Sequence, residues 1–169
     1  MKKILIFTGA GASALSGIKT YTSSGPESLW NNHKISEICT FSTFYENYDK
    51  VHAFYDDFRS SLANLSPSSA HLFVADLQKE YGSDRVINIT QNIDDFFERA
   101  GCKNTIHVHG SVREVKCLDC GHVEDLKYDN HNEACSKCGK IGKLKPNITF
   151  YYLGDQWSCF PNWNKYVLP

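Results

Sequence analysis

Four cysteines in two pairs carry the densest chemistry in this 169-residue chain. Cys117-Leu118-Asp119-Cys120 and Cys135-Ser136-Lys137-Cys138 are each CxxC, and each is followed at once by a glycine, Gly121 or Gly139. The two sulfurs of a CxxC converge on one side of a tight turn, and the glycine supplies the left-handed backbone that such a turn often needs. Two such turns face to face give four thiolates in a tetrahedron, the closed ligand set of structural zinc. The gap between the pairs lies just below the usual zinc template. Two disulfides, or four free thiols, are the alternatives open to the same residues. A closed four-cysteine site pins a small module and says nothing about catalysis.

A second group of polar residues follows short apolar runs. Residues 3–8 read as a strand that breaks into Gly9-Ala10-Gly11-Ala12-Ser13, the way a dinucleotide-binding fold begins. Glycines there let the backbone approach a pyrophosphate, whose charge suits amides at a helix N-terminus. Ala14 stands where the third glycine of GxGxxG would fall, and a simple turn is the plainer reading of the loop. Residues 86–90 read as a buried strand followed by Gln91, Asn92 and Asp94, and residues 105–109 as a third strand ending at His109. Polar residues at the C-terminal ends of strands are where open α/β sheets bind ligands, so Gln91, Asn92, Asp94 and His109 are expected near the glycine loop. A hydrogen-bonded structural histidine is the plainer reading of His109, and helix N-caps that of Asn92 and Asp94.

Helical segments lie between these strands. Residues 41–65 show apolar and aromatic side chains at helical spacing, with Thr43 and Glu46 as a capping box. A second helix is expected to start with Ser66 as N-cap and Pro67 in its first position, ending near Gly82. A short helix over 95–100 is closed by Gly101, and residues 146–152 read as a returning strand. The fold class expected is α/β: a partial Rossmann-like parallel sheet with an inserted helical segment and a small four-cysteine zinc module. The divisions are 1–110 (with helical segment 31–82), 111–146 for the zinc module, and 147–169 for the returning strand and an unassigned tail.

Composition limits the partners. Formal net charge is −1, so no global field draws nucleic acid or an anionic membrane, and no apolar run is long enough to span a bilayer. With four of seven cysteines committed to zinc spacing, a reducing, cytoplasmic setting is expected, with Cys39, Cys102 and Cys159 as free thiols.

GAGASALSG (9–17), GIKTYTSSGPESLW (17–30), SPSSAH (66–71), TQNIDDFFERAG (90–101), VHGS (108–111), the two CxxC pairs and KPNITFYYLGD (145–155), in this order, resemble the sirtuins, NAD-dependent protein deacylases. The GIKT string is similar to that of a bacterial class that includes desuccinylases. The resemblance implies NAD and zinc as cofactors and acylated protein lysines as substrates. It implies His109 as the base that accepts a ribose-hydroxyl proton, with Asn92 and Asp94 orienting ribose, water and the nicotinamide carboxamide. Gly9, Ala10, Gly11, Ser13, Thr20, Tyr21 and Gln91 complete the cofactor-binding set. Thr22 departs from the family's arginine. Tyr55 matches the tyrosine that reads acidic acyl groups, but Phe58 stands at the matching arginine's position with Arg59 next to it, which favours acetyl or other neutral acyl groups. The family's Gly-Thr-Ser segment and adenosine-side asparagine are not found, so a chain cut short after the zinc module is expected. Its sheet edge would then be covered by the aromatic tail, another copy of the chain or a separate polypeptide. An enzyme that only cleaves NAD or transfers ADP-ribose, and an inactive zinc-stabilised pseudoenzyme, are the alternative functions.

Overall fold

The computed structural model describes residues 3–19 and 33–151. Thr20, Tyr21 and Thr22, and the tail beyond Tyr151, lie outside the described residues. These residues form two units, 3–19 with 61–111 and 33–60 with 112–151. The division cuts across the expected helical segment 31–82.

The first unit is built on a parallel sheet. Strand β1 (Ile4–Thr8) pairs in register with β2 (Val86–Thr90), and β2 pairs with the two-residue β3 (Ile106–His107), in the order β1-β2-β3. Strand β2 is central and carries Val86, Asn88 and Thr90 fully buried. Strand β1 is an edge among the described residues, and its Leu5 and Phe7 are 65% and 63% exposed. Past β1 the chain turns through Gly9 and Ala10 into the single turn α1 (Gly11–Ala14). Helix α4 (Ser69–Tyr81) packs Val74 with Phe97 and Cys102, against which Ile6 and Ala12 rest.

The start of α4 differs from expectation by two residues. Ser68, not Ser66, is the N-cap, with an extended backbone that Pro67 does not join. The Ser68 side chain accepts from the Ala70 amide at 3.2 Å, and the Ser68 amide donates to His71 Nδ1 at 2.9 Å. A histidine thus takes the place usually held by Glu or Gln in a capping box. Gly82 ends the helix at φ 92°, and Gly101 follows the short α5 (Phe96–Arg99) at φ 102°.

The second unit joins α2 (Ile35–Ile38) and nearly all of α3 (Tyr48–Leu62) to an antiparallel arrangement. Its sheet has the order β5-β4-β6, from β5 (Val123–Asp125), β4 (Gly110–Cys117) and β6 (Leu144–Ile148). The long helix expected from residue 41 begins at Tyr48 instead. The Thr43 hydroxyl donates to the carbonyls of Ser36 and Thr40, and residues 42–47 form turns. The returning strand begins at Leu144 rather than Pro146, and Tyr151 contributes only an isolated bridge to Thr40.

Helix α3 is fastened by polar groups that a helical stripe does not announce. Arg59 is fully buried. It donates from Nε to the Val112 carbonyl at 2.7 Å, and from Nη1 to Asp56 at 2.6 Å and the Asp129 carbonyl at 3.0 Å. Asp56 also accepts from the His131 amide and from His131 Nδ1, the latter at 2.8 Å. His52, one turn earlier, donates from Nε2 to the Leu144 carbonyl at 2.9 Å. No helix among the described residues is long and apolar enough to cross a membrane.

Candidate functional site

In the second unit the four cysteines converge. Sγ of Cys117 lies 3.8 Å from that of Cys138, and Sγ of Cys120 lies 3.8 Å from that of Cys135. A disulfide requires about 2.05 Å, so the disulfide reading fails and all four are free thiols. A tetrahedron with zinc–sulfur bonds of about 2.3 Å has edges of about 3.8 Å, so the donor set fits zinc. The two turns are built alike. Gly121 donates to the Cys117 carbonyl at 3.0 Å and Gly139 to the Cys135 carbonyl at 2.8 Å, with φ of 72° and 70°. A Cβ at either glycine would meet nothing within 4 Å, so conformation rather than space requires glycine. Beneath the sulfurs, Val115, Leu126 and Leu144 form an apolar floor with Cys117 and Cys135. All four coordination positions come from protein, so the metal would supply folding free energy and hold no substrate.

A second metal-like group, His52, Asp56 and His131, lies within ligand distance of one another. Most of its ligand atoms are already engaged, with His52 Nε2 on the Leu144 carbonyl and His131 Nδ1 on Asp56. Both Asp56 oxygens accept from Arg59 or His131, and the two rings stack at 3.8 Å and 21°, so their in-plane lone pairs run side by side. This group is a pin between α3 and the segment joining the cysteine pairs.

In the first unit, polar side chains from three segments meet at Ser13, which is 1% exposed. Its Oγ lies 2.8 Å from Asp94 Oδ2, 2.8 Å from Asn92 Nδ2 and 3.3 Å from His71 Nε2. The proton inventory assigns the directions. His71 Nδ1 accepts the Ser68 amide, so Nε2 carries the ring proton and donates to Ser13. The Asn92 amide is the second donor. Ser13, with both lone pairs used, gives its own proton to Asp94. Burial pushes His71 down to about 4, which keeps this neutral tautomer in place. Burial raises Asp94, against the hydrogen bonds from Ser13 and the Phe96 amide. Asp94 therefore serves both the start of α5 and the cluster, and Asn92 serves the cluster alone.

The remaining expected residues fall as follows. Gln91 Oε1 lies 3.8 Å from where a Cβ on Gly9 would be, so Gln91 does border the glycine loop. The amides of Ala12 and Ser13 turn back to the carbonyls of Gly9 and Ala10, whereas those of Gly9, Ala10 and Gly11 have no partner among the described residues. His109 sits between β3 and β4, with Nδ1 buried and without a partner among the described residues and the ring held below its ordinary pKa by burial. Tyr55 is placed in the core of the second unit, 2% exposed, stacked on Phe150 and edge-on to Phe54. Two residues not assigned to the site in the sequence reading belong to it. His71, which ends the SPSSAH string and reads as structural, supports Ser13. His107 holds the Asn92 carbonyl, and nothing in the sequence signals that contact.

The Sir2 family model matches residues 9–162. The NAD-dependent protein deacylase of Campylobacter jejuni subsp. jejuni serotype O:2 is 40% identical over 152 residues, which is 89% of this chain and 64% of that protein. The NAD-dependent protein deacylase of Helicobacter hepaticus is 37% identical over 169 residues, 90% of this chain and 64% of that protein. The crystal structure of a Sir2 homologue in complex with NAD superposes with a TM-score of 0.73 at 34% identity, covering 88% of this chain and 57% of that one. The chain thus spans about two thirds of the length of these curated relatives.

Proposed function

The chain belongs to the Sir2 family, and from that premise we propose that it carries the nicotinamide-side catalytic half of an NAD-dependent protein deacylase, removing acetyl or similar groups from lysine and releasing nicotinamide and O-acyl-ADP-ribose. The observation that carries this reading is the buried junction at Ser13, which brings Asn92 and Asp94 together beside a glycine turn whose three amides have no partner among the described residues. NAD supplies an electrophilic ribose carbon from which nicotinamide departs as the acyl oxygen adds. The amides of Gly9, Ala10 and Gly11 suit its pyrophosphate. Asn92 and Asp94 offer one donor and one acceptor in fixed orientation, so their contribution is positioning. His109 accepts the proton of a ribose hydroxyl. Because burial lowers its pKa, the neutral form that can accept this proton persists below the ordinary histidine range.

The preference for neutral acyl groups is supported by Arg59. The one arginine adjacent to the position that reads acidic acyl groups is fully buried and bound to Asp56, so it is not available to a carboxylate. The exposed edge of β1, with Leu5 and Phe7, supports a further strand completing the sheet.

Purified protein incubated with NAD and an acetyl-lysine peptide tests the reading. Nicotinamide should be released only with peptide present, and His109→Ala should abolish release while zinc content is unchanged. Nicotinamide release independent of peptide would instead identify NAD cleavage, and parental activity in His109→Ala would reject the assigned base.

A further inference from the structure

Strand β3 ends at a histidine that the mechanism above does not use. His107 Nδ1 lies 2.8 Å from the main-chain carbonyl oxygen of Asn92, and Nε2 lies 3.0 Å from Glu98 Oε1 on α5. A carbonyl only accepts, so Nδ1 must carry a proton. Glu98 is partly buried, which raises its pKa, but the hydrogen bond and charge of His107 outweigh that and hold it below the usual carboxylate range. An ionised carboxylate also only accepts, so Nε2 must carry a proton as well. Both hydrogen bonds exist together only for the imidazolium. Burial alone would lower His107, yet the Glu98 hydrogen bond and charge, the Asn92 carbonyl and the charge of Asp94 together raise it. The groups facing it are Glu98 from α5, and Asn92 and Asp94 from the segment after β2. Thr105 and Cys102 face Glu98 in turn.

The residue held this way is the one whose side chain reaches Ser13. The Asn92 amide donates to Thr90 Oγ1 at 3.1 Å, its carbonyl accepts from His107, and its carboxamide donates to Ser13 at 2.8 Å. With the peptide groups on both sides of Asn92 tied, its Cα–Cβ direction is fixed before any ligand arrives. We propose that His107, clamped between the Glu98 carboxylate and the Asn92 carbonyl, is the positioning residue that aims the Asn92 carboxamide. Its catalytic consequence rests on the function proposed above; the clamp itself does not. Deprotonation leaves a single ring proton, which the Glu98 carboxylate holds as the stronger acceptor, so the hydrogen bond to the Asn92 carbonyl is lost and the cluster at Ser13 loosens.

Two measurements on the whole chain separate the clamp from the reaction. In the first, the His107 ring and the Asn92 side-chain amide are followed by NMR through a pH titration. The Asn92 resonances should move with the His107 midpoint, and in Glu98→Gln both midpoints should fall together. Asn92 resonances that ignore the His107 titration overturn the proposal, whether or not the protein turns over NAD. In the second, nicotinamide release is compared among variants. His107→Phe should lower kcat on the order of tenfold to a hundredfold with little change in peptide KM. His107→Asn keeps a donor at the Nδ1 position, so it should recover most of that loss and abolish the fall in rate at alkaline pH. His107→Asn as impaired as His107→Phe, or an alkaline limb unchanged in Glu98→Gln, overturns it.

Discussion

Acid should loosen the second unit through His52, and the size of the effect follows from its surroundings. His52 is fully buried. Its Nε2 proton is committed to the Leu144 carbonyl, so a second proton would have to enter at Nδ1, which is buried and has no partner among the described residues. Burial first, then the neighbouring His131, push the pKa from 6.5 down to about 4. The unfolded chain takes up this proton near the ordinary value, and the folded chain only near the lowered one. Between the two values the unfolded state binds more protons, so stability falls as pH falls. The loss between pH 7 and pH 5 is about 2 kcal/mol from this single group. His52→Gln keeps an amide that can reach the Leu144 carbonyl and cannot titrate in this range. At pH 7 it should be less stable than the parent by about 1–2 kcal/mol, from the altered packing and hydrogen bond. At pH 5 that deficit should shrink by about 2 kcal/mol and can reverse. Urea denaturation of both proteins at the two pH values and fixed zinc reads this directly. Acid protonation of the cysteines is common to both proteins and cancels in the comparison. A deficit that is the same at pH 5 and pH 7 would refute the assignment.

Cys117→Ser should lose zinc, read by elemental analysis, and lower the stability of the second unit, because a closed thiolate site contributes folding free energy. Gly121→Ala and Gly139→Ala should each cost about 1 kcal/mol with zinc retained, since φ near 70° disfavours a Cβ even where space is open. Arg59→Met leaves Asp56 buried with only His131 as a partner, and should lower stability by about 3 kcal/mol in urea denaturation. Arg59→Met indistinguishable from the parent would mean the guanidinium is not what neutralises Asp56.

What the sequence makes legible here is what local spacing encodes. The two CxxC turns are fixed by four residues and a glycine each, and the structure builds them alike. The strand 86–90 and the polar residues after it are legible because a β-branched run ends abruptly at Gln91. The start of α3 is not legible, because Thr43 looks like a cap until its hydroxyl is seen to serve Ser36 and Thr40. The cap of α4 is hidden for a related reason, since a histidine supplies the return hydrogen bond. Arg59 and Asp56 show the limit most sharply. They stand three residues apart on one helix, yet Asp56 reaches His131, 75 residues on. No periodicity reports a partner at that separation.

The same limit applies to charge within the first unit. Asp94 is buried and accepts from Ser13 and the Phe96 amide, both neutral donors. The positive charge that lowers its pKa against burial comes from His107, which also neutralises Glu98. One imidazolium therefore serves two carboxylates, and losing its proton leaves both without it. Asp94 then loses one of the interactions that favour its ionised form. Its oxygen is the acceptor for Ser13, whose other two contacts are both donors toward it. The clamp and the Ser13 cluster are in this way joined through the charge of His107 as well as through Asn92. His107 can thus act on the Ser13 cluster while its own contact to Asn92 is only to the main-chain carbonyl.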